Sequence, residues 1–288
     1  LNRKVALKLF AVDPTFPKKL RDDLVGKFRR EGQLLALLDH PNICRVYGAG
    51  DQGEHLYLAM EYLDRHTLGT ELRERRLSVE FTLRCIREVA LGLAEAHKHK
   101  IVHCDLKPTN ICLHGERKVA KIVDFGGAKV PLSRPGQLET AIVCTPCWAS
   151  PEQLDIYFEA KGDVTTAADV WALGVILYEL LAGVRPLGGS PGQEVRDALK
   201  RRSPAPEPAP LRSFRSDIPD ALEQIVLDCL ATEPRERISA EQLASRLTEL
   251  EALVSEGSGV PATVARARRA ERSELALEAA PDSGFSRA

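Results

Sequence analysis

The sequence predicts an α+β chain with strands gathered near its start and helices filling the rest. Three observations carry that prediction. Lys4–Phe10, Ile43–Tyr47 and His55–Met60 all read as short strands. Lys18–Leu38, between the first two, has Leu20, Leu24, Phe28, Leu35 and Leu38 near helical spacing. From Ser78 onward long helical patterns take over, interrupted by one strand-bearing unit at Ile101–Gly126.

In chain order, KVALKLF places Lys8 inside the first strand among apolar neighbours. Asp13–Pro17, with two prolines, is a loop. The following helix carries Glu31 and is stopped by Asp39-His40-Pro41-Asn42, where His40 reads as structural. Gly48–Gly53 reads as the connection between the next two strands. Ser78 is the N-cap of a helix reaching about Lys100, with Leu83, Ile86, Val89, Ala90, Leu93 and Ala96 on one face. His97 and His99 near its end suit the helix dipole and need no catalytic role. The chain is irregular from Gly126 to Glu152, with Ser133, Pro135, Gly136 and Thr140 marking an exposed loop.

Ala168–Ala182 is apolar nearly all round and should be buried, with Asp169 in its first turn and Gly183 at its end. Ser190–Lys200 reads as a shorter helix and Ser203–Pro210 as a stiff Pro-rich connector. Asp220–Thr232 and Ala240–Leu253 read as two amphipathic helices. Residues 254–288 turn to Ala, Arg, Glu and Ser and form a disordered tail, because such a composition cannot build a core.

The 288 residues are 44% hydrophobic and 28% charged, which is ordinary globular composition. A net charge of −1 argues against a general nucleic-acid or membrane-surface binder. The cysteine count of 7 is odd and fits reduced thiols in a cytoplasmic setting better than a disulfide framework. No signal peptide and no apolar run of spanning length are seen, so no membrane segment is expected. The first residue is Leu1 rather than Met, as in a fragment.

Most of the chemistry is concentrated in IVHCDLKPTNICLHGERKVAKIVDFG. The block His103–Asn110 and the block Asp124-Phe125-Gly126 are separated by a turn at His114-Gly115-Glu116 and an alternating run, Val119–Val123. A hairpin-like unit of that kind lets its two ends converge, so that Asp105, Lys107, Asn110 and Asp124 share one cleft. One carboxylate can take a hydroxyl proton, a Lys can hold a phosphate, and Asn with Asp can hold a hard cation through oxygen ligands. Phosphoryl transfer needs those parts, since it is mainly positioning and charge neutralisation.

The two blocks resemble the catalytic loop and metal-binding motif of protein kinases, H-R-D-L-x-x-x-N followed by D-F-G. Lys107-Pro108 resembles the serine/threonine version of the loop, and the bacterial, eukaryotic-like (Hanks-type) group is the nearest in kind. Cys104 stands where the family has Arg. VALK, ending at Lys8, resembles the family's V-A-I-K strand, the plain alternative being an exposed Lys on an edge strand. Met60-Glu61-Tyr62-Leu63 resembles the hinge between kinase lobes. Ser150-Pro151-Glu152 resembles A-P-E, and Thr145 resembles the Thr that contacts the catalytic Asp and Lys. Cys144 stands where Gly is usual and forms a C-x-x-C with Cys147, without the second pair a zinc site would want. No G-x-G-x-x-G precedes Lys8.

The resemblance implies a two-lobed kinase domain over residues 1–253. Residues 1–60 would be a small, mostly-β lobe lacking its first strands and Gly-rich loop, 61–63 the hinge, and 64–253 a large helical lobe. It implies ATP and Mg2+ as cofactors and a protein Ser/Thr hydroxyl as acceptor. Asp105, Lys107, Lys8, Glu31 and Thr145 would carry catalysis, with Lys8 paired to Glu31. Ala6, Lys8, Met60, Glu61, Leu63, Asn110 and Asp124 would bind nucleotide, Asn110 and Asp124 through the metal. Asp169 would brace the catalytic loop, and Arg237 would pair with Glu152. The absent Gly-rich loop implies poor nucleotide binding by the chain as it stands. Together with Cys104 it motivates the alternative of a catalytically weak, kinase-like scaffold. Cys104 also implies that activity depends little on phosphorylation of Ser133 or Thr140, since a phosphate there would lack the usual guanidinium partner.

Overall fold

The computed structural model describes residues 3–13, 15–52, 55–64, 66–74, 76–125, 145–159, 163–187 and 207–257. The first part is a three-stranded antiparallel sheet with one helix packed on it. β1 (Val5–Ala11) and β2 (Val46–Gln52) both pair with β3 (His55–Glu61), giving the order β1-β3-β2. Leu56 and Leu58 of β3 are buried against Phe28 of α1 (Lys18–Leu35), and the Phe10 and Phe28 rings meet edge-on at 4.8 Å between centroids. α1 ends at Leu35, short of the Leu38 that the spacing suggests.

Strand β2 contains Gly48, Ala49 and Gly50, which the sequence reads as a turn. Gly50 lies opposite Tyr57, whose ring occupies the space a Cβ would need; the nearest ring atoms would be at 2.5 Å. Ladder bonding to β3 and the covering ring outweigh the poor strand propensity of glycine. Gly32 performs the same service for α1, since a Cβ there would meet Ala49 Cβ at 2.6 Å and Leu58 Cδ2 at 3.0 Å. A Gly→Ala change inside a helix ordinarily gains about 1 kcal/mol, whereas forcing α1 off the sheet costs about 1–3 kcal/mol. Gly32→Ala is therefore expected to destabilise the protein, read as a lower urea midpoint; a higher midpoint would mean that the helix simply shifts.

After β3 the chain enters a helical part through α2 (Leu68–Glu74), an element with no clear signal in the sequence. It is short and charged, but Leu68 is fully buried and Thr67 Oγ1 accepts the N–H of Thr70 at 3.2 Å. α3 (Val79–Lys98) begins as expected at Ser78, whose hydroxyl accepts Phe81 N–H at 3.2 Å. A 3-10 turn at Pro108–Asn110 leads into the two-stranded sheet of β4 (Ile111–His114) and β5 (Val119–Ile122), which sits on α3. α4 (Pro151–Glu159) was not anticipated as a helix.

α5 (Ala167–Ala182) is the buried centre, ended by Gly183 at φ 79°. Large side chains such as Leu173, Ile176, Leu177 and Leu181 are almost fully buried along it, each stabilising by about 1.5–3 kcal/mol. α6 (Asp220–Cys229) and α7 (Ala240–Gly257) complete the core, with α7 lying along α3. α7 continues to Gly257, so the first residues of the expected tail, from 254, are helical and Val254 packs on the core. The expected helix at Ser190–Lys200, the loop bearing Ser133 and Thr140, and the rest of the tail lie outside the described residues. Among the described residues no helix is long and apolar enough to cross a membrane.

Candidate active site

The site is assembled on the first turn of α5. Asp169 is buried there and accepts the backbone N–H groups of His103 at 2.9 Å and Cys104 at 3.0 Å, and His97 Nε2–H at 2.9 Å. Those bonds hold Cys104 at φ 67°, a left-handed conformation uncommon for a side chain other than glycine. Burial pushes the Asp169 carboxyl up, but the hydrogen bond and charge of His97 and the His103 backbone N–H outweigh it, leaving the pKa below the usual Asp value. A carboxyl lower in the folded state than in the unfolded chain contributes stability above the unfolded pKa, lost as the pH falls through the folded one. Asp169→Asn is thus expected to lower stability at neutral pH, with the gap to wild type closing below about pH 4. Urea unfolding across that range measures it, and a gap independent of pH would contradict the assignment.

His103 links the two motif blocks. Its Nε2 lies 3.1 Å from Val123 O, its Nδ1 accepts Asp105 N–H at 3.3 Å, and its ring tilts against Phe125 at 4.7 Å. A carbonyl on one nitrogen and an N–H on the other select the neutral Nε2–H tautomer. Asn110 Nδ2 donates to Asp105 O at 2.9 Å, closing the loop and leaving its amide oxygen as an acceptor.

At the centre, Asp105 Oδ1 accepts both the N–H and the hydroxyl of Thr145, at 2.9 and 2.7 Å. Asp105 Oδ2 accepts Lys107 Nζ at 2.7 Å, and Lys107 also donates to Thr145 Oγ1 at 2.9 Å. A carboxylate, an ammonium and a hydroxyl thus form a closed triangle that opens partly to solvent, with Asp105 15% and Lys107 25% exposed. Such an arrangement presents a fixed base beside a fixed positive charge.

Lys8, from β1, forms an ion pair with Asp124, which has φ 62° just after β5. Asp124 and the amide oxygen of Asn110 offer the hard oxygen donors that suit Mg2+, which takes one or two carboxylates and keeps its remaining positions for water and phosphate. Glu31 lies on α1, but its side chain is outside the described residues, as are Gly126 and Cys144. Ala6 pairs with Met60 across β1 and β3, in register with Lys8 opposite Leu58, so Ala6, Lys8 and Met60 share one sheet face. Met60 packs on the small core. The Glu61 carboxylate is engaged by Lys121 at 3.0 Å and by Arg45 N–H at 3.3 Å, and its own N–H donates to Arg45 O at 2.8 Å. Leu63 is half-buried in the segment between β3 and α2.

The segment that follows Thr145 is clamped at Glu152. Arg237 binds both oxygens of Glu152, at 2.6 and 2.8 Å, and spends its remaining donors on the carbonyls of Ala231, Thr232 and Ala167. Two contributors were invisible in the sequence. Gln153 donates to Cys104 O at 2.6 Å, and His97 bonds Asp169; the sequence separations of 49 and 72 residues leave no local signal. Among the described residues six cysteines are free thiols, and burial pushes Cys44, Cys85 and Cys229 up to about 12. Among the described residues no group of three or more His, Cys, Asp or Glu could hold a metal, and Cys147 is a free thiol.

Comparison with known proteins gives the same direction. Residues 1–247 match the family described as Protein kinase domain. The chain is 36% identical over 252 residues to the serine/threonine-protein kinase PkaB of Streptomyces coelicolor, covering 82% of this chain and 57% of that protein. It is 37% identical over 265 residues to PkaA of the same organism, covering 90% and 45% respectively. With PrkC of Bacillus subtilis, also a serine/threonine-protein kinase, identity is 31% over 239 residues, covering 82% of this chain and 35% of that one. The chain therefore spans from about a third to somewhat over half the length of these relatives.

Proposed function

The chain belongs to the protein kinase domain family, and from that premise we propose that it transfers the γ-phosphoryl group of ATP to a Ser or Thr hydroxyl of a protein. The single observation that supports this most is the triangle of Asp105, Lys107 and Thr145. The hydroxyl oxygen attacks the γ-phosphorus, the bond to the β–γ bridging oxygen breaks, ADP leaves, and Asp105 takes the hydroxyl proton. Lys107 lies beside the transferring group and offsets its charge. Lys8 anchors the α and β phosphates, exchanging its Asp124 partner for them. Ala6, Met60 and the backbone of Glu61 and Leu63 border the adenine. Asn110 and Asp124 would hold Mg2+, which when bound neutralises phosphate charge. The odd count of 7 cysteines supports a reducing, cytoplasmic setting for the chain.

The test is incubation of the protein with ATP, Mg2+ and a mixed protein substrate, with phosphosites located by mass spectrometry. Phosphoserine and phosphothreonine, absent when ATP is omitted, are expected. Nucleotide binding by folded protein without any transfer would favour the scaffold reading instead.

A further inference from the structure

The far end of α5 borders a second cleft, of about 410 Å³, that the phosphoryl-transfer site does not use. Its apolar lining includes Leu72 of α2, Leu180 and Ala182 of α5, and Phe214. Two guanidinium groups, Arg73 and Arg76, and one carboxylate, Glu74, stand along it. Arg76 is held in place by a 2.8 Å hydrogen bond to Phe214 O, which uses only part of its donor set. Arg73 is exposed and has no hydrogen bond or ion pair to another described residue. The lining is therefore net positive over an apolar floor.

The active site is built on Asp169 and this cleft on Ala182, so at 1.5 Å per residue the two lie about 20 Å apart along α5. An extended peptide covers that distance with about six residues.

We propose that this cleft is a docking site for an acidic segment of the protein substrate, a carboxylate next to an apolar residue, placed at least about six residues from the phosphorylated hydroxyl. The carboxylate pairs with Arg76 and Arg73, and the apolar side chain lies on Leu180 and Phe214. Complementary charge and shape identify the occupant; a basic segment would face two guanidinium groups. Docking makes the encounter of hydroxyl and Asp105 intramolecular and so lowers KM without changing the chemical step. The proposal takes its purpose from the kinase reading, but the site itself can be tested without catalysis.

The probe is a fluorescein-labelled peptide with an Asp-Glu-Leu-Phe core, and the readout is anisotropy on titration with the protein. Saturable binding is expected, weakened about tenfold or more by Arg73→Glu and by raised salt, and indifferent to added ATP. Arg73→Glu alters an exposed side chain, and its circular dichroism melt checks that the fold is retained. Arg76→Gln is the second variant. Three outcomes would overturn the proposal: no saturable binding, equal binding of a Lys-Lys-Leu-Phe control, or affinity unchanged in folded Arg73→Glu. Competition by ATP would do the same by placing the peptide in the nucleotide cleft. Because no phosphate is transferred in this assay, an inactive kinase would not mimic any of these results.

Discussion

Asp105→Asn is expected to lower kcat for phosphoryl transfer by about 10²–10⁴-fold and to leave nucleotide affinity little changed. Asn is the same size and can still accept from Thr145, so the loop should keep its shape. What disappears is the carboxylate oxygen to which the proposed mechanism assigns the hydroxyl proton, together with the negative charge that holds Lys107 at 2.7 Å. Nucleotide affinity is spared because Asp105 is bonded to Lys107 and Thr145 rather than to Lys8 or Asp124. Asp124→Asn makes the contrast, since it should weaken Mg2+-dependent nucleotide binding as well as transfer. Single-turnover transfer and fluorescent-nucleotide titration, run on both variants, separate the two effects. Transfer at near wild-type rate in Asp105→Asn would remove the assignment.

Arg237→Met is expected to destabilise the protein by about 3–5 kcal/mol, the usual consequence of leaving one member of a buried ion pair behind. Arg237 is completely buried at its side chain and Glu152 only 15% exposed, so water cannot replace the guanidinium. The carbonyls of Ala231, Thr232 and Ala167 lose donors at the same time. For a chain of this size about 2–4 °C accompanies each kcal/mol, so a fall in Tm of roughly 6–20 °C should be visible by calorimetry. Adding Glu152→Gln should recover part of the loss, because it removes the stranded charge. A double variant worse than the sum of the singles would show that Glu152 has another role.

The pattern of success in reading the sequence follows the range of the interactions. The Asp105 and Asp124 blocks are short and chemically distinctive, and the hairpin between them is a local signal. The Ser78 cap and the all-apolar face of α5 are local too. Asp169 against the catalytic loop and Arg237 against Glu152 came through resemblance, since nothing nearby in sequence specifies a partner 66 or 85 residues away. Gln153 and His97 had neither aid. The strand expected at Ile43–Tyr47 lies instead at Val46–Gln52, because the glycines of β2 carry a turn signature that the Tyr57 ring, on another strand, overrides. α2 was hidden because a two-turn helix of charged residues has little periodicity, and a buried Leu68 is known to be buried only once the core exists.

The Arg237–Glu152 clamp also has a meaning in time. The loop at His103–Asn110 leaves the ribosome well ahead of Arg237, the residue that holds Glu152. About 130 residues separate Asp105 from Arg237, so at the usual rate of synthesis the loop waits on the order of 7–26 s for its clamp. During that interval Glu152 has no guanidinium partner, and Thr145 has no braced segment from which to reach Asp105. A nascent chain is therefore expected to stay catalytically silent until Arg237 has emerged. Premature termination before Arg237 should yield a product that is inert rather than a kinase without restraint.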